Sequence, residues 1–321
     1  MKTSAIIRIV CWVVIACVLV GVLIWGIQKD TGFSINLLPV GCIGRGLELS
    51  GFSALQGDVG AYSTDNNYTV PIGSIDTLNI GWVDGSVRVT PYDGDVIAFH
   101  ENASGGIPEK YALRYAINGS VLTIQYCAVN ISWNNGWWRG GKTLEVLVPK
   151  TLADNFSEVE IDAASADIGI SDMLVGKLRL DTVSGTVDAG NIEANTLTID
   201  TTSGEIEASA CTADSVTVDS VSGGVRLDGR FNKVSANTVS GSVNITSSVC
   251  PSEVEVDAIS GSSTLMIPEN NGFTARYDSV SGGFSCDFPV TASDEKAVYG
   301  DGSASFSFDS VSGGIRIEKI G

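Results

Sequence analysis

Over its C-terminal half the chain sets apolar residues two apart, with polar ones between them, on either side of a recurring Ser-Gly pair. The serines of these pairs are Ser165, Ser184, Ser203, Ser222, Ser240, Ser260, Ser281 and Ser312, each followed by Gly except the first, which is followed by Ala166. Four residues before the serine stand Ile161, Leu180, Ile199, Val218, Ala236, Val256, Tyr277 and Phe308. Three after it stand Ile168, Val187, Ile206, Val225, Val243, Ser263, Phe284 and Ile315. A period of two is that of a strand with one buried face, whereas a helix would repeat at three and four. Each unit therefore reads as two short strands meeting at a tight corner, where Gly supplies backbone freedom and Ser bonds locally, followed by a return segment.

The units recur at steps of 19, 19, 19, 18, 20, 21 and 31 residues. Such a period marks one supersecondary unit stacked on itself, because a single unit cannot bury its apolar stripe alone. The predicted fold is all-β, a single-stranded parallel β-solenoid (β-helix) of about 19-residue coils. With neighbours about 4.8 Å apart, eight coils make a rod roughly 38 Å long. The long final step predicts an inserted loop within residues 291–301.

Ahead of the repeats, residues 77–80, 86–90, 96–100, 111–116, 121–126 and 144–148 are strand-like. The pairs Asp84-Gly85, Asp93-Gly94 and Asn118-Gly119 between them are hairpin signals. Residues 76–150 are read as an irregular β cap over the N-terminal end of a solenoid spanning 151–321. Residues 29–75, with little periodicity, read as a stalk or linker. Residues 9–27 are nineteen positions without a charge, enough for a helix to cross a hydrocarbon core of about 30 Å. Lys2 and Arg8 precede this run and Lys29 is offset by Asp30, so the positive-inside bias leaves the N-terminus in the cytoplasm. Residues 1–28 are accordingly a cytoplasmic tail and one transmembrane helix, which places the chain in the plasma membrane with its C-terminal domain extracytoplasmic. Cleavage of this segment or lipidation at Cys17 are the competing readings.

The chain has 321 residues, a formal net charge of −18, 17% charged residues and 37 glycines. Low charge density with many β-formers argues for a folded β-rich protein rather than a disordered tail. The acidic balance argues against nucleic acid as a partner. Of the seven cysteines, Cys286 falls in an inward column and is expected to be a small buried filler. Cys211 and Cys250 lie two coils apart, about 9.6 Å along the axis, beyond the reach of a disulfide.

The run IDTLNIGWVDGSVRVTPYDGDVIAF, the later LEVLVPK and the ladder of Ser-Gly units together resemble the putative-adhesin family of bacterial β-strand-repeat domains, a domain of unknown function. The resemblance covers residues 74–318. It implies a β-solenoid outside the membrane with an adhesion or envelope role, and it carries over no catalytic residue.

Two constellations could carry chemistry. Three residues before each serine stands an acid, Asp162, Asp181, Asp200, Asp219, Asp257, Asp278 or Asp309, with Asn237 in the fifth unit. In a straight column their repulsion needs an offset, which bonds from corner N–H groups or the Ser hydroxyl would supply. The sharper alternative is Ca²⁺ between coils, since hard cations take several oxygen ligands; no other cofactor is implied. Trp133, Trp137 and Trp138 crowd a Gly- and Asn-rich stretch where they either cover the cap or contact a ligand. His100 is the only histidine, and no nucleophile or metal motif accompanies it, so no enzyme is predicted. The expected function is a membrane-anchored, adhesin-like binding or scaffolding module for an envelope polymer, glycan or protein. The alternative is an extracytoplasmic stress sensor acting through a membrane partner, and a carbohydrate-active enzyme ranks below both.

Overall fold

A computed structural model describes residues 58–59, 67–73, 75–127 and 141–321. The N-terminal portion holds β1 (Asp58–Val59), β2 (Asn67–Pro71), β3 (Thr77–Tyr92), β4 (Val96–Asn102), β5 (Arg114–Asn118), β6 (Val121–Gln125) and β7 (Lys142–Pro149), then a single helical turn, α1 (Lys150–Ala153). The middle holds β8 (Phe156–Ser184), β9 (Val187–Ser203), β10 (Ile206–Ser222), β11 (Val225–Ser240), β12 (Val243–Ser247), β13 (Glu253–Ser260) and β14 (Ser263–Ile267). The C-terminal portion holds β15 (Gly272–Ser281), β16 (Phe284–Cys286), β17 (Thr291–Ser293), β18 (Lys296–Gly300), β19 (Ala304–Ser312) and β20 (Ile315–Lys319). The fold is all-β. Among the described residues no helix is long and apolar enough to cross a membrane, and residues 9–27 lie outside them.

In the middle, each residue pairs in parallel with its equivalent one repeat later. Leu180 partners Ile199, Ile199 partners Val218, and Val218 partners Ala236; beyond the corner Ile168 partners Val187, which partners Ile206. The alternation is what sets this register, because a one-residue slip would turn every buried side chain outward. Of the column four before the serine, all but Tyr277 are buried; of the column three after it, all but Phe284.

Those two exceptions, together with Cys286, lie in one unit, and the order of units in space explains them. β13 and β14 do not pair with β15 and β16. They pair with β19 and β20, through Val256↔Phe308 and Leu265↔Ile317. β19 and β20 in turn pair on their other side with β15 and β16, through Tyr277↔Phe308 and Phe284↔Ile315. The last unit in sequence is therefore the penultimate one in space, and residues 272–286 form the terminal layer. Cys286, expected to be a buried filler, is only half-buried because no unit covers it from outside. The long step is not a plain loop: β17 and β18 form an antiparallel hairpin, and β18 lies along the outer edge of β15.

The N-terminal end repeats this arrangement. β3 pairs on one side with β8, through Ile80↔Ile161 and Val87↔Ile168. On its other side it pairs with β6 and β7, through Leu78↔Leu122 and Val87↔Leu144, so the later segment is again the outer one. β5 and β4 then close β6 and β7 by antiparallel pairing, with β1 and β2 beyond them. Of the three expected hairpins only Asn118-Gly119 makes one, between β5 and β6. Asp84-Gly85 lies inside the continuous β3 at the corner position, where a Cβ on Gly85 would come within 2.2 Å of the Lys142 carbonyl oxygen. Asp93-Gly94 joins β3 to β4, but β4 pairs with β7 and β2 instead.

The interior is mainly aliphatic through the middle, Phe156 and Phe231 apart, and richer in aromatic rings at both ends. Phe273 meets Phe288 and Phe306 at ring-centroid distances of 5.3 and 5.0 Å, and Tyr68 stacks on Phe99 at 5.3 Å. Large rings fill the wider gap left where the stack stops. At the Ser-Gly corners the glycines of successive units touch: a Cβ on Gly204 would stand 1.9 Å from the Gly185 carbonyl oxygen.

Candidate functional site

The acids before the corners form one continuous column on the outer side of the strands, since Leu180 and Thr182, which flank Asp181, both point inward. Asp181 partners Asp200, Asp200 partners Asp219, Asp219 partners Asn237, and Asn237 partners Asp257. Because of the exchanged units, Asp257 then meets Asp309, and Asp278 comes last. All eight positions are thus brought together, in an order that differs from the sequence.

What offsets their repulsion also differs from expectation. Among the described residues none of these carboxylates accepts a bond from a corner N–H or from the serine hydroxyl. Instead Arg179 lies across the column, its guanidinium 2.7 Å from Asp181, 2.9 Å from Asp200 and 3.7 Å from Glu160. Asn237 donates through Nδ2 to Asp219 at 2.7 Å. Asp181 has the Asp162 carboxyl on one side and the Asp200 carboxyl on the other. Asp162 and Asp181 are buried, at 7% and 2% exposure, which penalises their charged forms. Burial first, then the Glu160 carboxylate, push Asp162 up to about 6; burial likewise lifts Asp181 to about 6 and Asp200 to about 7. At the far end burial lifts Asp309 to about 6, with Asp257 and Asp278 adding to it. No group of three or more His, Cys, Asp or Glu placed to hold a metal ion occurs among the described residues.

A second constellation escaped the sequence reading. Lys142 opens β7 at the corner position of the last parallel layer at the N-terminal end, and its side chain is fully buried. Its ammonium donates to the buried Glu101 carboxylate, to the Tyr111 carbonyl at 2.7 Å and to the Tyr126 carbonyl at 2.5 Å. It also sits 4.0 Å from the centroid of the Tyr126 ring and 4.7 Å from that of Trp82. Glu101 accepts in addition from the Leu113 N–H at 2.8 Å, and Trp82 Nε1–H donates to the Lys142 carbonyl at 3.1 Å. Burial pulls the Lys142 ammonium below its usual range while Glu101 pushes it back up. With three acceptors for its three N–H bonds, Lys142 pins β4, β6, β7 and the segment before β5 to one point.

That point is the base of the Trp-rich stretch. Trp133, Trp137 and Trp138 lie in residues 128–140, outside the described residues, between Cys127, which is buried, and Gly141. His100 pairs with Glu145 at 3.0 Å on the outside of β4.

A family model, Toastrack DUF4097, matches residues 75–318. The chain belongs to the Toastrack family. The match coincides with the residues over which the resemblance to the putative-adhesin family was drawn, and the family is a domain of unknown function. Among solved structures, the Toastrack chain is similar to a putative adhesin from Parabacteroides distasonis ATCC 8503, at 9% identity over 83% of this chain and 98% of that one, with a TM-score of 0.50. A putative adhesin from Bacteroides fragilis NCTC 9343 matches at 10% identity over 82% and 98%, with a TM-score of 0.46. A putative lipid binding protein from Parabacteroides distasonis ATCC 8503 matches at 13% identity over 82% and 98%, with a TM-score of 0.43. At these identities the likeness concerns the fold alone. No curated protein matches the Toastrack chain.

Proposed function

We propose that this Toastrack protein is a cell-surface binding or scaffolding module of adhesin-like type, without catalytic turnover. In this reading residues 9–27 anchor it in the plasma membrane, and the parallel stack is a single-stranded β-solenoid standing outside. The observation that carries the reading is the in-register parallel pairing, which repeats each outward column unit after unit and so presents long, regular faces. The fold mate from Parabacteroides distasonis, named a putative adhesin, agrees with it. The partner is an envelope polymer, a glycan or a surface protein, contacted by Trp133, Trp137 and Trp138, which in sequence lie between Cys127 and Lys142. Indole faces suit sugar rings and other flat apolar groups.

The test is sedimentation of residues 58–321 with purified cell-wall sacculi and with mucin-type glycans, with Ca²⁺ or chelator. The chain carrying Trp133→Ala, Trp137→Ala and Trp138→Ala runs beside it. Saturable binding lost in the triple variant supports the module and its contact. Binding that survives in the variant removes the Trp contact, and binding to nothing removes the adhesin-like reading in favour of a sensor that acts through a membrane partner.

A further inference from the structure

We infer that the run Asp162, Asp181 and Asp200 is a proton-holding site, in which hydrogen-bonded protons shared between the carboxyl groups close the outer face of the stack, so that the stack tightens in mildly acid surroundings. Asp181 Oδ1 and Asp200 Oδ1 are both buried and find no N–H or O–H donor. Two buried carboxylate oxygens without donors, next to other carboxylates, are costly to leave charged. Yet Asp181 and Asp200 are direct partners in the strand register, so the neighbours of these oxygens are carboxyl groups. A proton on one of each pair converts repulsion into a donor–acceptor bond, as in any pair of acids that cannot both ionise at contact distance.

The remaining charges leave the need unmet. Glu160 and Arg179 face the run from β8 itself, and Asp219 faces it from β10. From β3 the column receives Gly81, which carries no charge. One guanidinium thus pairs with Glu160, Asp181 and Asp200 at once, and Asp162, which makes no ion pair with it, feels it only at longer range. Further along, Asn237 supplies from an amide what a shared proton supplies here, donating to Asp219. The perturbation of these groups towards neutrality agrees with the geometry.

The step is proton uptake from solvent and nothing else. Each such acid is raised above its unfolded value of about 4. Its stabilisation is therefore complete at low pH and is lost as pH rises through about 6 to 7. Each proton held changes the folding equilibrium about tenfold per pH unit within that window.

The experiment follows the infrared carboxylic-acid band and the urea midpoint of the full chain from about pH 4 to about pH 9. The same measurements are made on Asp181→Asn, Asp200→Asn and Arg179→Gln. The wild type is expected to keep a protonated-carboxyl band at pH 6 that disappears by about pH 8, with stability falling over the same span. Either Asn variant should shrink the band and flatten the stability profile. Arg179→Gln, which keeps every acid, should move the window to higher pH and serves if the Asn variants do not fold. A wild-type band gone by about pH 5, or a window that none of the variants moves, would overturn the assignment.

Discussion

Replacing Lys142 by Met removes the charge at the N-terminal pin but keeps the length and apolar body of the side chain. Glu101, itself buried, would then retain only the Leu113 N–H as donor. Two carbonyls, those of Tyr111 and Tyr126, would also lose the bond from the ammonium. Breaking a buried ion pair from one side costs about 3–5 kcal/mol, because the surviving charge stays desolvated and unpaired. That is a large share of a typical folding stability of about 5–15 kcal/mol. Adding Glu101→Leu removes the stranded charge, leaving mainly the two carbonyls at about 1 kcal/mol each, so the double variant should be more stable than Lys142→Met alone by about 1–3 kcal/mol. Urea unfolding of the four chains of this cycle gives the coupling directly. A cost for Lys142→Met under about 1 kcal/mol, or a double variant no better than the single, would refute the pin. It would mean that the ammonium is hydrated where the geometry has it dry.

Three further outcomes are expected. Gly204→Ala would place a Cβ 1.9 Å from the backbone of the neighbouring unit, whereas a Cβ on Gly224 meets nothing within 4 Å; thermal melts should show the first losing at least about 2 kcal/mol and the second under about 0.5 kcal/mol. Ala210 has a φ of 54°, in a corner column where Asp172 and Asn191 share that conformation and Asn191 donates to Asp172 at 2.8 Å. Ala210→Asn should therefore raise stability by about 1 kcal/mol in urea unfolding, and no gain would argue that the corner is relaxed. Deleting residues 304–321 should open both neighbours of the missing unit, so limited proteolysis should cut within residues 253–286 and not only near the new end.

Much of the middle was legible because its physics is local. The alternation around Leu180, Ile199 and Val218 dictates the inward face, and Ser-Gly corners fix where the strands turn, so register follows. The order of the end units was not legible, since every unit offers the same edge and nothing in residues 304–319 says which two neighbours they join. The hints were chemical: Tyr277, Phe284 and Cys286 suit a half-covered layer better than the aliphatics elsewhere. The hairpin expected at Asp84-Gly85 failed because a Gly corner with short β-prone flanks looks the same whether the next strand returns beside the first or continues around the stack. Lys142 and Glu101 could have been found. Lys142 shares the inward parity of Leu144, Val146 and Val148, and Glu101 that of Ile97 and Phe99. Opposite charges on the buried parity of two strands imply a pair. Arg179 was likewise visible as the one basic residue two positions before an acid of the column in the crowded first units.

Exchange of units at both ends bears on how such a chain can change length over generations. A repeat duplicated at the C-terminus would find no free place, because residues 304–319 already enter between two formed neighbours and β18 lies along the outer edge of β15. The same holds before β3, where the later segment sits outside. Only between β8 and β14, where neighbours in sequence are neighbours in space and the steps are 19, 19, 18 and 20 residues, can a unit be copied or excised without rethreading an end. Relatives of different length should then differ by whole units in that middle stretch, with both closures kept intact.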